Sequence, residues 1–308
     1  MARACAGLEL VLFADDTNIF AEDGDPAGLF GRVNRGLEGL SGWFRCNRLT
    51  LNLKKTEYVY FGRGPRGQRV PPGGLEIGGE QVRRVEGARF LGVWVDEGLG
   101  WAGHIGQVRA KVGQLLGVLG RAGSALEGQS LLSLYNGLVL PHLQYCLLVW
   151  GDFEACGNGT IGGSLLRYQK RFARLVAGRV GQCHADPLFA RYGILKIGDL
   201  YRQQLRVHAW QFWNGRLPED QAAMFARTGD VHGHATRAAG SGLFLSTRDR
   251  QSVGYRVPKE WAELTEGQRG AASLAAFKRG SRAGFLADYG AFVCVGRGCG
   301  VCGGDGGA

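Results

Sequence analysis

The sequence lacks any apolar run long enough to span a bilayer, and its first residues do not read as a signal peptide. The apolar stretch that begins at Leu8 is short and runs directly into the carboxylates of Asp15 and Asp16, whereas a signal peptide continues through a longer apolar region to a cleavage site. These absences argue against a membrane-spanning helix. They favour an intracellular location, in the nucleus or the cytoplasm, with no membrane partner.

The sequence also lacks the cysteine spacing of a disulfide framework and a ligand-spaced set of histidines. Its eight cysteines are scattered along 308 residues, which suits a reducing compartment. Cys294, Cys299 and Cys302 do stand close together, in a Gly-rich tail (291–308). Because that tail has few apolar residues to bury, we expect it to be disordered.

Glycine and positive charge are in excess. Glycine occupies 53 of the 308 positions, well above the roughly 7% of an average protein. Several glycines lie within helical patterns, where each costs roughly 1 kcal/mol relative to alanine, so we expect a marginally stable protein. The formal net charge of +10 favours an anionic partner, most simply nucleic acid, with an acidic membrane surface as the alternative.

A short stretch near the start places two like charges side by side. In LVLFADDTNIFAE (10–22), apolar residues alternate before Asp15 and Asp16 and continue after them at Ile19 and Phe20, which is typical of two strands joined by a tight turn. Aspartate favours turns because its side chain bonds nearby backbone amides. Adjacent carboxylates also repel each other unless a cation neutralises them, so a metal site is the alternative to a plain turn.

The next segments predict a helix and then a strand. Asp25 is a helix N-cap candidate followed by Pro26 at the first helical position, and apolar residues then recur at spacings of three and four as far as Phe44. The period changes after that, because apolar and polar residues alternate from Leu49. We expect a strand over Leu49–Phe61.

The remainder predicts a basic loop followed by helices. Residues 62–88 combine arginines with Gly and Pro, and we expect short strands at Leu75–Ile77 and Gln81–Val85, then one more strand over 88–97. Apolar spacing predicts helices over the following segments: 103–119, Leu131–Val139 (ending at Pro141), Leu165–Val176, Asp199–Trp213 and Ser273–Ala287.

Several blocks in one order resemble a known family. They include FADDTNIF, WFRCNRLTLNLKKTEYVYFG, RFLGVWVDEGLGWAGHI, LYNGLVLPHLQYCLLVWG and LLRYQKRFARLVAG, with HATR and PKEWAEL further on. Together they resemble the C-terminal part of non-LTR (LINE-type) retrotransposon reverse transcriptases, and the resemblance covers nearly the whole chain. It implies an RNA-directed DNA polymerase whose fingers and first catalytic aspartate, upstream in the family, are not in this sequence.

The resemblance implies an α+β fold in five segments. These are a partial palm with the FADD hairpin (1–62), a basic loop with primer-grip-like strands (63–101), a helical thumb (102–180), a helical C-terminal region (181–290) and the tail (291–308). In the family an upstream palm strand lies between the strands that correspond to Thr17–Phe20 and Leu49–Phe61. We therefore expect those two strands to keep unpaired edges or to pair with each other.

The resemblance also implies a metal site and its ligands. Asp15 corresponds to a main Mg²⁺ ligand and Asp16 to a secondary one, while Lys55 corresponds to a lysine near the nucleotide phosphates. Lys54 is an equal candidate for that lysine, and a solvated surface lysine is the alternative for either. The implied partners are an RNA template and a DNA primer, with Mg²⁺ as cofactor and no small molecule beyond nucleotides.

Three further segments are candidate binding elements. Phe90-Leu91-Gly92 resembles the primer grip, where Gly permits close backbone approach, or is a plain buried strand. A basic stripe recurs at spacings of three and four, and it either follows a phosphate backbone or is an ordinary solvated helix face; it consists of Arg167, Lys170, Arg171 and Arg174. The tail cysteines resemble the zinc knuckle that ends some members of the family, although no histidine follows them.

Three functions compete at this point. The first is RNA-directed DNA polymerase, which the resemblance implies. The second is a nucleic-acid-binding remnant of such an element without catalytic activity, because the upstream catalytic aspartate is missing. The third is a protein-interaction module with incidental positive charge. We expect polymerase ancestry and little or no activity of the chain by itself.

Overall fold

The computed structural model describes residues 7–62, 74–152, 159–178, 184–231, 242–245 and 252–290. The chain divides into two compact units, Met1–Gly100 and Trp101–Ala308. Its architecture is α+β, with small sheets in the first unit and helices in the second. Within the described ranges no helix is both long enough and apolar enough to cross a membrane. The tail with Cys294, Cys299 and Cys302 lies outside the described residues.

The described residues of the first unit form one long helix and three small sheets. In chain order its elements are β1 (Glu9–Phe13), β2 (Asp16–Phe20), α1 (Pro26–Cys46), a 3₁₀ turn (Leu53–Lys55), β3 (Glu57–Tyr58), β4 (Leu75–Ile77), β5 (Glu80–Arg84), β6 (Gly87–Phe90) and β7 (Val93–Asp96). β1 and β2 form an antiparallel hairpin, and β6 and β7 form another. In the remaining sheet β5 lies between β3, to which it is parallel, and β4.

Helix α1 begins and packs as its sequence predicts. The Asp25 carboxylate accepts hydrogen bonds from the backbone N–H groups of Ala27 and Gly28, at 3.2 and 2.9 Å, which satisfies donors that the first turn leaves free. The apolar face of α1 forms a core with β4 and β5, made of Phe30, Leu37, Leu40, Leu75, Ile77 and Val82. Leu10 and Ile19 of the first hairpin pack against this core.

Two residues of α1, Asn34 and Gly36, determine how neighbouring segments of the first unit pack against this helix. The Asn34 side chain donates to the carbonyl of Gly74 at 3.2 Å and accepts from the N–H of Glu76 at 2.9 Å, so it hydrogen-bonds the edge of β4. Gly36 lies directly under Leu8, because a Cβ atom there would stand 2.3 Å from Leu8 Cδ1. The absence of a side chain therefore lets the chain entering the hairpin approach the helix.

The strand predicted over Leu49–Phe61 is wrong for most of its length. The residues before Lys55 form a turn in which the Lys55 N–H donates to the carbonyl of Asn52 at 3.0 Å, and only Glu57–Tyr58 is a strand. Alternation of apolar residues favours a strand only where a neighbour satisfies the backbone, and of this segment only Glu57–Tyr58 pairs with another strand, β5. β2 and β3 do not pair with each other, so the β1–β2 hairpin has no third strand among the described residues.

Helices make up most of the second unit. They are α2 (Ala102–Ala122), α3 (Gly128–Leu134), α4 (Leu140–Gln144), α5 (Leu147–Trp150), α6 (Gly159–Val176), α7 (Asp186–Tyr192), α8 (Ile197–Trp213), α9 (Glu219–Ala222), α10 (Thr228–Val231), α11 (Val253–Ala262), α12 (Glu266–Arg269) and α13 (Leu274–Gly290). The helices predicted over 103–119, 165–176, 199–213 and 273–287 correspond to α2, α6, α8 and α13, with bounds that differ by a few residues at one or both ends.

The helix predicted to end at Pro141 instead continues past it. A π-helical segment (Tyr135–Val139) follows α3, and the N–H of Leu140 donates to the carbonyl of Tyr135. Pro141 then falls in the first turn of α4, where its missing N–H costs no helical hydrogen bond. The wider π-helical turn therefore accommodates Pro141, which the sequence pattern predicts to end the helix.

A buried amide joins three segments of the second unit. Gln169 on α6 donates to the Tyr135 hydroxyl at 3.1 Å and to the Leu195 carbonyl at 2.9 Å, and it accepts from the Ile197 N–H at 2.8 Å. Tyr135 in turn stacks on Phe172 with ring centroids 4.4 Å apart. Because every polar atom of this amide is paired, the buried group fixes the start of α8 against α6.

A buried carboxylate joins α8 to α11. Glu260 accepts from Nε of Arg202 at 2.8 Å and from Nε of Arg206 at 2.9 Å, and Arg202 also reaches Glu263 at 2.9 Å. The Arg206 guanidinium lies 4.5 Å from the centroid of the Phe285 ring on α13. This group of charges therefore ties three helices of the second unit together.

Candidate functional site

Asp15 and Asp16 lie at the tip of the β1–β2 hairpin, as the sequence predicts. Phe13 pairs with Asp16, which leaves Ala14 and Asp15 as the turn residues. Ala14 adopts the left-handed region with φ of 52°, the conformation that a tight hairpin turn requires. Both carboxylates are exposed to solvent, so the turn presents them side by side at the surface.

The tip of this hairpin is exposed on both faces. Leu12 and Phe13 are neighbours in β1 and point to opposite faces of the strand pair, yet 58% and 62% of their surfaces are exposed. Leu10 and Ile19, nearer the base, pack against the core. The hairpin is therefore anchored at its base and presents both its apolar end and its carboxylates to solvent.

Asp15 and Asp16 are suited to hold a metal through one or two oxygens. Neither side chain forms an ion pair or hydrogen bond with any described residue. Mg²⁺ takes oxygen ligands and in nucleotide-handling sites uses one or two carboxylates together with water and phosphate oxygens. The pair fits that use. Within the described ranges no group of three or more His, Cys, Asp or Glu side chains is placed to hold a metal.

Lys55 ends the 3₁₀ turn of the first unit and is exposed, as is Lys54 beside it. Neither lysine forms an ion pair with Asp15, Asp16 or any other described carboxylate. The turn leaves the two lysines equally accessible. The structure therefore does not bring Lys55 into contact with the carboxylate pair, and either lysine remains a candidate for a phosphate contact.

Phe90-Leu91-Gly92 forms a hairpin turn and not the tight strand that the sequence predicts. Phe90 pairs with Val93, and the residues between them adopt left-handed φ values of 44° at Leu91 and 86° at Gly92. Such a turn usually carries Asn-Gly, and leucine in this region costs roughly 1–2 kcal/mol. The alternating pattern over 88–97 is thus two strands, because this turn reverses the chain in its middle.

One aromatic contact links the two hairpins of the first unit. The ring of Phe20, at the end of β2, meets the ring of Phe90 edge to face, with centroids 5.6 Å apart. Phe20 lies opposite Glu9 at the base of the first hairpin, several residues from Asp16. The contact therefore joins the β6–β7 turn to the base of the carboxylate hairpin and not to its tip.

The basic stripe lies on the exposed face of α6. Leu165 and Phe172 on the same helix are buried, whereas Arg167 and Arg171 are exposed and Lys170 is half-buried. Arg167, Lys170 and Arg171 form no ion pair with a described carboxylate. Arg174 completes the stripe and is half-buried. Three cations of this face therefore have no counter-charge among the described residues, which suits a phosphate backbone and is compatible with a solvated surface.

The tryptophans of α8 lie outside every site that the sequence predicts. Trp213 carries the guanidinium of Arg227 above its ring, with the arginine Cζ 4.5 Å from the ring centroid. On the same helix His208 meets Phe225 edge to face at 5.5 Å, and burial lowers the pKa of this histidine. Only the run WQFW could have drawn attention to this region, and the arginine that completes the contact is distant in sequence.

Comparison with known proteins shows a distant relation over part of the chain. No protein-family model and no solved structure matches the chain. A segment of 158 residues is 27% identical to the "Retrovirus-related Pol polyprotein from type-1 retrotransposable element R1 2" of Nasonia vitripennis. The match covers 48% of this chain and 37% of that polyprotein. The chain is therefore related, distantly and over part of its length, to a retrotransposon Pol polyprotein.

Proposed function

We propose that this chain carries part of the RNA-directed DNA polymerase of a non-LTR retrotransposon. The observation that carries the proposal is the Asp15–Asp16 pair, exposed at the tip of a tight hairpin and without an intramolecular counter-charge among the described residues. A related Pol polyprotein supports a retrotransposon origin. The reaction class is nucleotidyl transfer to a DNA primer on an RNA template.

In this proposal Asp15 is the main ligand for Mg²⁺ and Asp16 a secondary ligand. Mg²⁺ held by these two residues would supply positive charge that offsets negative charge on phosphate oxygens. Lys55, or Lys54 beside it, offsets charge on the nucleotide phosphates by virtue of its exposed ammonium group. The exposed turn lets the carboxylates bind an external ion without first breaking an internal contact.

The nucleic-acid partners are an RNA template and a DNA primer. The α6 face would bind phosphates without reading sequence, because lysine and arginine contacts to phosphate carry no base information. The turn at Leu91-Gly92 would approach the primer backbone, since Gly92 has no side chain to obstruct it. These two surfaces lie in different units, and each is a separate proposal.

Metal binding tests the role of the carboxylate pair. Mn²⁺, which reports binding through the relaxation of water protons, is titrated into the full chain with and without a deoxynucleoside triphosphate. We expect weak binding that the nucleotide strengthens and that Asp15→Asn with Asp16→Asn reduces at least about fivefold. Glu219 and Asp220 are also adjacent and exposed, so Glu219→Gln with Asp220→Asn is the matched control and leaves binding unchanged. Equal loss in both double variants, or in neither, rejects the proposal.

A nucleic-acid-binding role without catalysis is the second candidate. In the resembled family a further carboxylate from an upstream strand completes the metal site, and the described residues show no third acidic side chain beside the pair. We expect no primer extension by the full chain with Mg²⁺, nucleotides and an RNA template. Extension above background that disappears in Asp15→Ala would establish catalysis by the chain itself.

A further inference from the structure

Two tryptophans lie one turn apart on α8 and form the base of a surface. Trp210 and Trp213 are three positions apart in sequence, so their side chains are neighbours on the helix. Trp210 is buried and stacks on Phe277, with centroids 5.9 Å apart. Trp213 is half-buried and packs on the buried Trp261 at 5.5 Å. Both indole rings are therefore held rigidly by aromatic packing from below.

Each of these tryptophans is covered by an arginine. Arg216 Cζ lies 5.3 Å from the centroid of Trp210, and Arg227 Cζ lies 4.5 Å from that of Trp213. Arg227 also donates from Nη2 to the carbonyl of Trp213 at 2.9 Å, and its backbone pairs with Leu243. The hydrogen bond to the Trp213 carbonyl thus holds the guanidinium of Arg227 over the ring, and the bridge to Leu243 fixes the backbone of Arg227.

These arginines are exposed and have no acidic partner in the part of the chain that the structure describes. Neither Arg216 nor Arg227 forms an ion pair with any carboxylate that the structure describes, whereas Arg202, Arg206 and Arg256 in the same unit all do. Both residues are exposed. Among the described residues, the guanidinium groups of Arg216 and Arg227 have one hydrogen-bond partner, the Trp213 carbonyl, so their other N–H donors can bind a ligand.

We propose that Arg216 and Arg227 form an arginine platform that binds two neighbouring bases of single-stranded nucleic acid. A guanidinium is planar, stacks on aromatic faces and offers N–H donors that fit a phosphate. One side of each group rests on an indole, so the exposed side is the one on which a base stacks. Arginine and aromatic platforms bind unpaired bases in this way, with little preference for sequence.

This inference rests on the proposed nucleic-acid function and adds a binding surface made of residues other than those of the carboxylate hairpin and the basic stripe of α6. An alternative role for Arg227 is to cover Trp213 and cap its carbonyl. That role predicts a loss of stability on substitution and no dependence of binding on the bases of the ligand. Base dependence therefore distinguishes the two.

The test compares binding of a labelled twenty-nucleotide single-stranded DNA with binding of an abasic strand of equal length. The full chain and the variants Arg216→Lys and Arg227→Lys are titrated at one fixed, low salt concentration. We expect each lysine variant to bind the base-containing strand about fivefold or more weakly, because an ammonium group lacks the planar face on which a base stacks. Binding of the abasic strand should be unchanged, since lysine keeps the charge.

Arg279→Lys is the matched control, because Arg279 on α13 is also exposed and unpaired among the described residues. It should bind both strands as the unaltered chain does. Equal binding of the two strands by the unaltered chain, or unchanged binding in both lysine variants, overturns the proposal. If Arg227→Lys unfolds, as thermal melting would show, Arg216→Lys and the abasic comparison decide. The Mn²⁺ titration at Asp15 and Asp16 is independent of this outcome.

Discussion

Carboxylates of this chain stand in two opposite environments. Glu260 is buried and accepts hydrogen bonds from two arginines, whereas Asp15 and Asp16 are exposed and have no cationic partner among the described residues. A buried carboxylate that is already neutralised serves the fold. An exposed pair that lacks a counter-charge is available to an ion from solution, which is why the proposed function rests on it.

Removing the buried carboxylate should be far more costly than removing its surface neighbour. Glu260→Ala leaves Arg206 buried and unpaired, so we expect the free energy of unfolding to fall by about 3–5 kcal/mol. Glu263→Ala removes only the exposed contact to Arg202 and should cost less than about 1 kcal/mol. Denaturant titration followed by circular dichroism measures both. Similar losses in the two variants would contradict the structural role of Glu260.

Two glycines of α1 should respond in opposite directions to alanine. Gly36→Ala places a Cβ atom 2.3 Å from Leu8 Cδ1 and should destabilise the first unit by about 1–3 kcal/mol through overpacking. A Cβ atom at Gly42 would have no neighbour within 4 Å, so Gly42→Ala should stabilise the helix by up to about 1 kcal/mol. Chemical denaturation of each variant tests the signs. Stabilisation by both would show that Leu8 moves aside freely.

Helix α6 presents one buried face and one basic face, and the two make separate demands on the sequence. The buried face contributes Gln169 and Phe172 to the interior of the second unit. On the other face, Arg167 and Arg171 are exposed and form no ion pair with a described carboxylate. At the scale of the element, substitution on the basic face should therefore change binding without changing the fold.

Salt dependence distinguishes phosphate contacts on α6 from a solvated surface. Each phosphate contact to a single strand contributes a slope of about −0.7 to the logarithmic dependence of affinity on salt. We expect glutamine at Arg167, Lys170, Arg171 and Arg174 to flatten the slope by about 2–3. Glutamine at four exposed cations on other helices is the control, at Arg121, Lys259, Lys278 and Arg279. Equal flattening in both sets would assign the α6 face to general charge.

The division into Met1–Gly100 and Trp101–Ala308 is the main feature at the scale of the whole molecule. Small sheets around one helix form the first unit, and its carboxylate hairpin has no third strand within the described residues. The second unit buries many large side chains, including Trp150, Trp210 and Trp261. Since buried apolar surface supplies most of the stability, we expect the two units to differ in resistance to unfolding.

Limited proteolysis should cut the first unit before the second. The hairpin exposes Leu12 and Phe13 and offers open backbone edges, and such regions open locally at low cost in free energy. We expect a resistant fragment that begins near Trp101, identified by mass spectrometry of the intact fragment. If the region before Gly100 resists the protease longer than the helical second unit does, this order of stability is wrong.

Alkaline pH should destabilise the second unit through buried tyrosines. Burial raises the pKa of Tyr135 to about 12, and the hydrogen bond from Gln169 only partly opposes this; burial and Asp199 also raise the pKa of Tyr289. Between pH 10 and 12 an unfolded Tyr135 loses its proton while the folded one retains it. Stability is therefore full below about pH 10 and falls as pH rises to about 12, by on the order of 3 kcal/mol. Tyr135→Phe should flatten this fall in denaturant titrations, and an unchanged slope would contradict it.

Local sequence determined the elements that need only their own residues. The turn at Asp15, the N-cap at Asp25 and the helical spacing of α2 and α6 each depend on neighbours within a few positions, and the structure confirms them. A turn residue, a cap and an apolar face act through adjacent backbone and one buried side. The exposed carboxylate pair was predictable for the same reason.

Tertiary structure decided everything that depends on a distant partner. The alternation after Leu49 did not become a long strand, because only Glu57–Tyr58 of that segment pairs with β5. The helix continues past Pro141, because a π-helical segment precedes the proline. The pairing of Arg227 with Trp213 joins residues from different elements, and no local period records it. Such contacts form only when folding brings the segments together, so no single segment of the sequence predicts them.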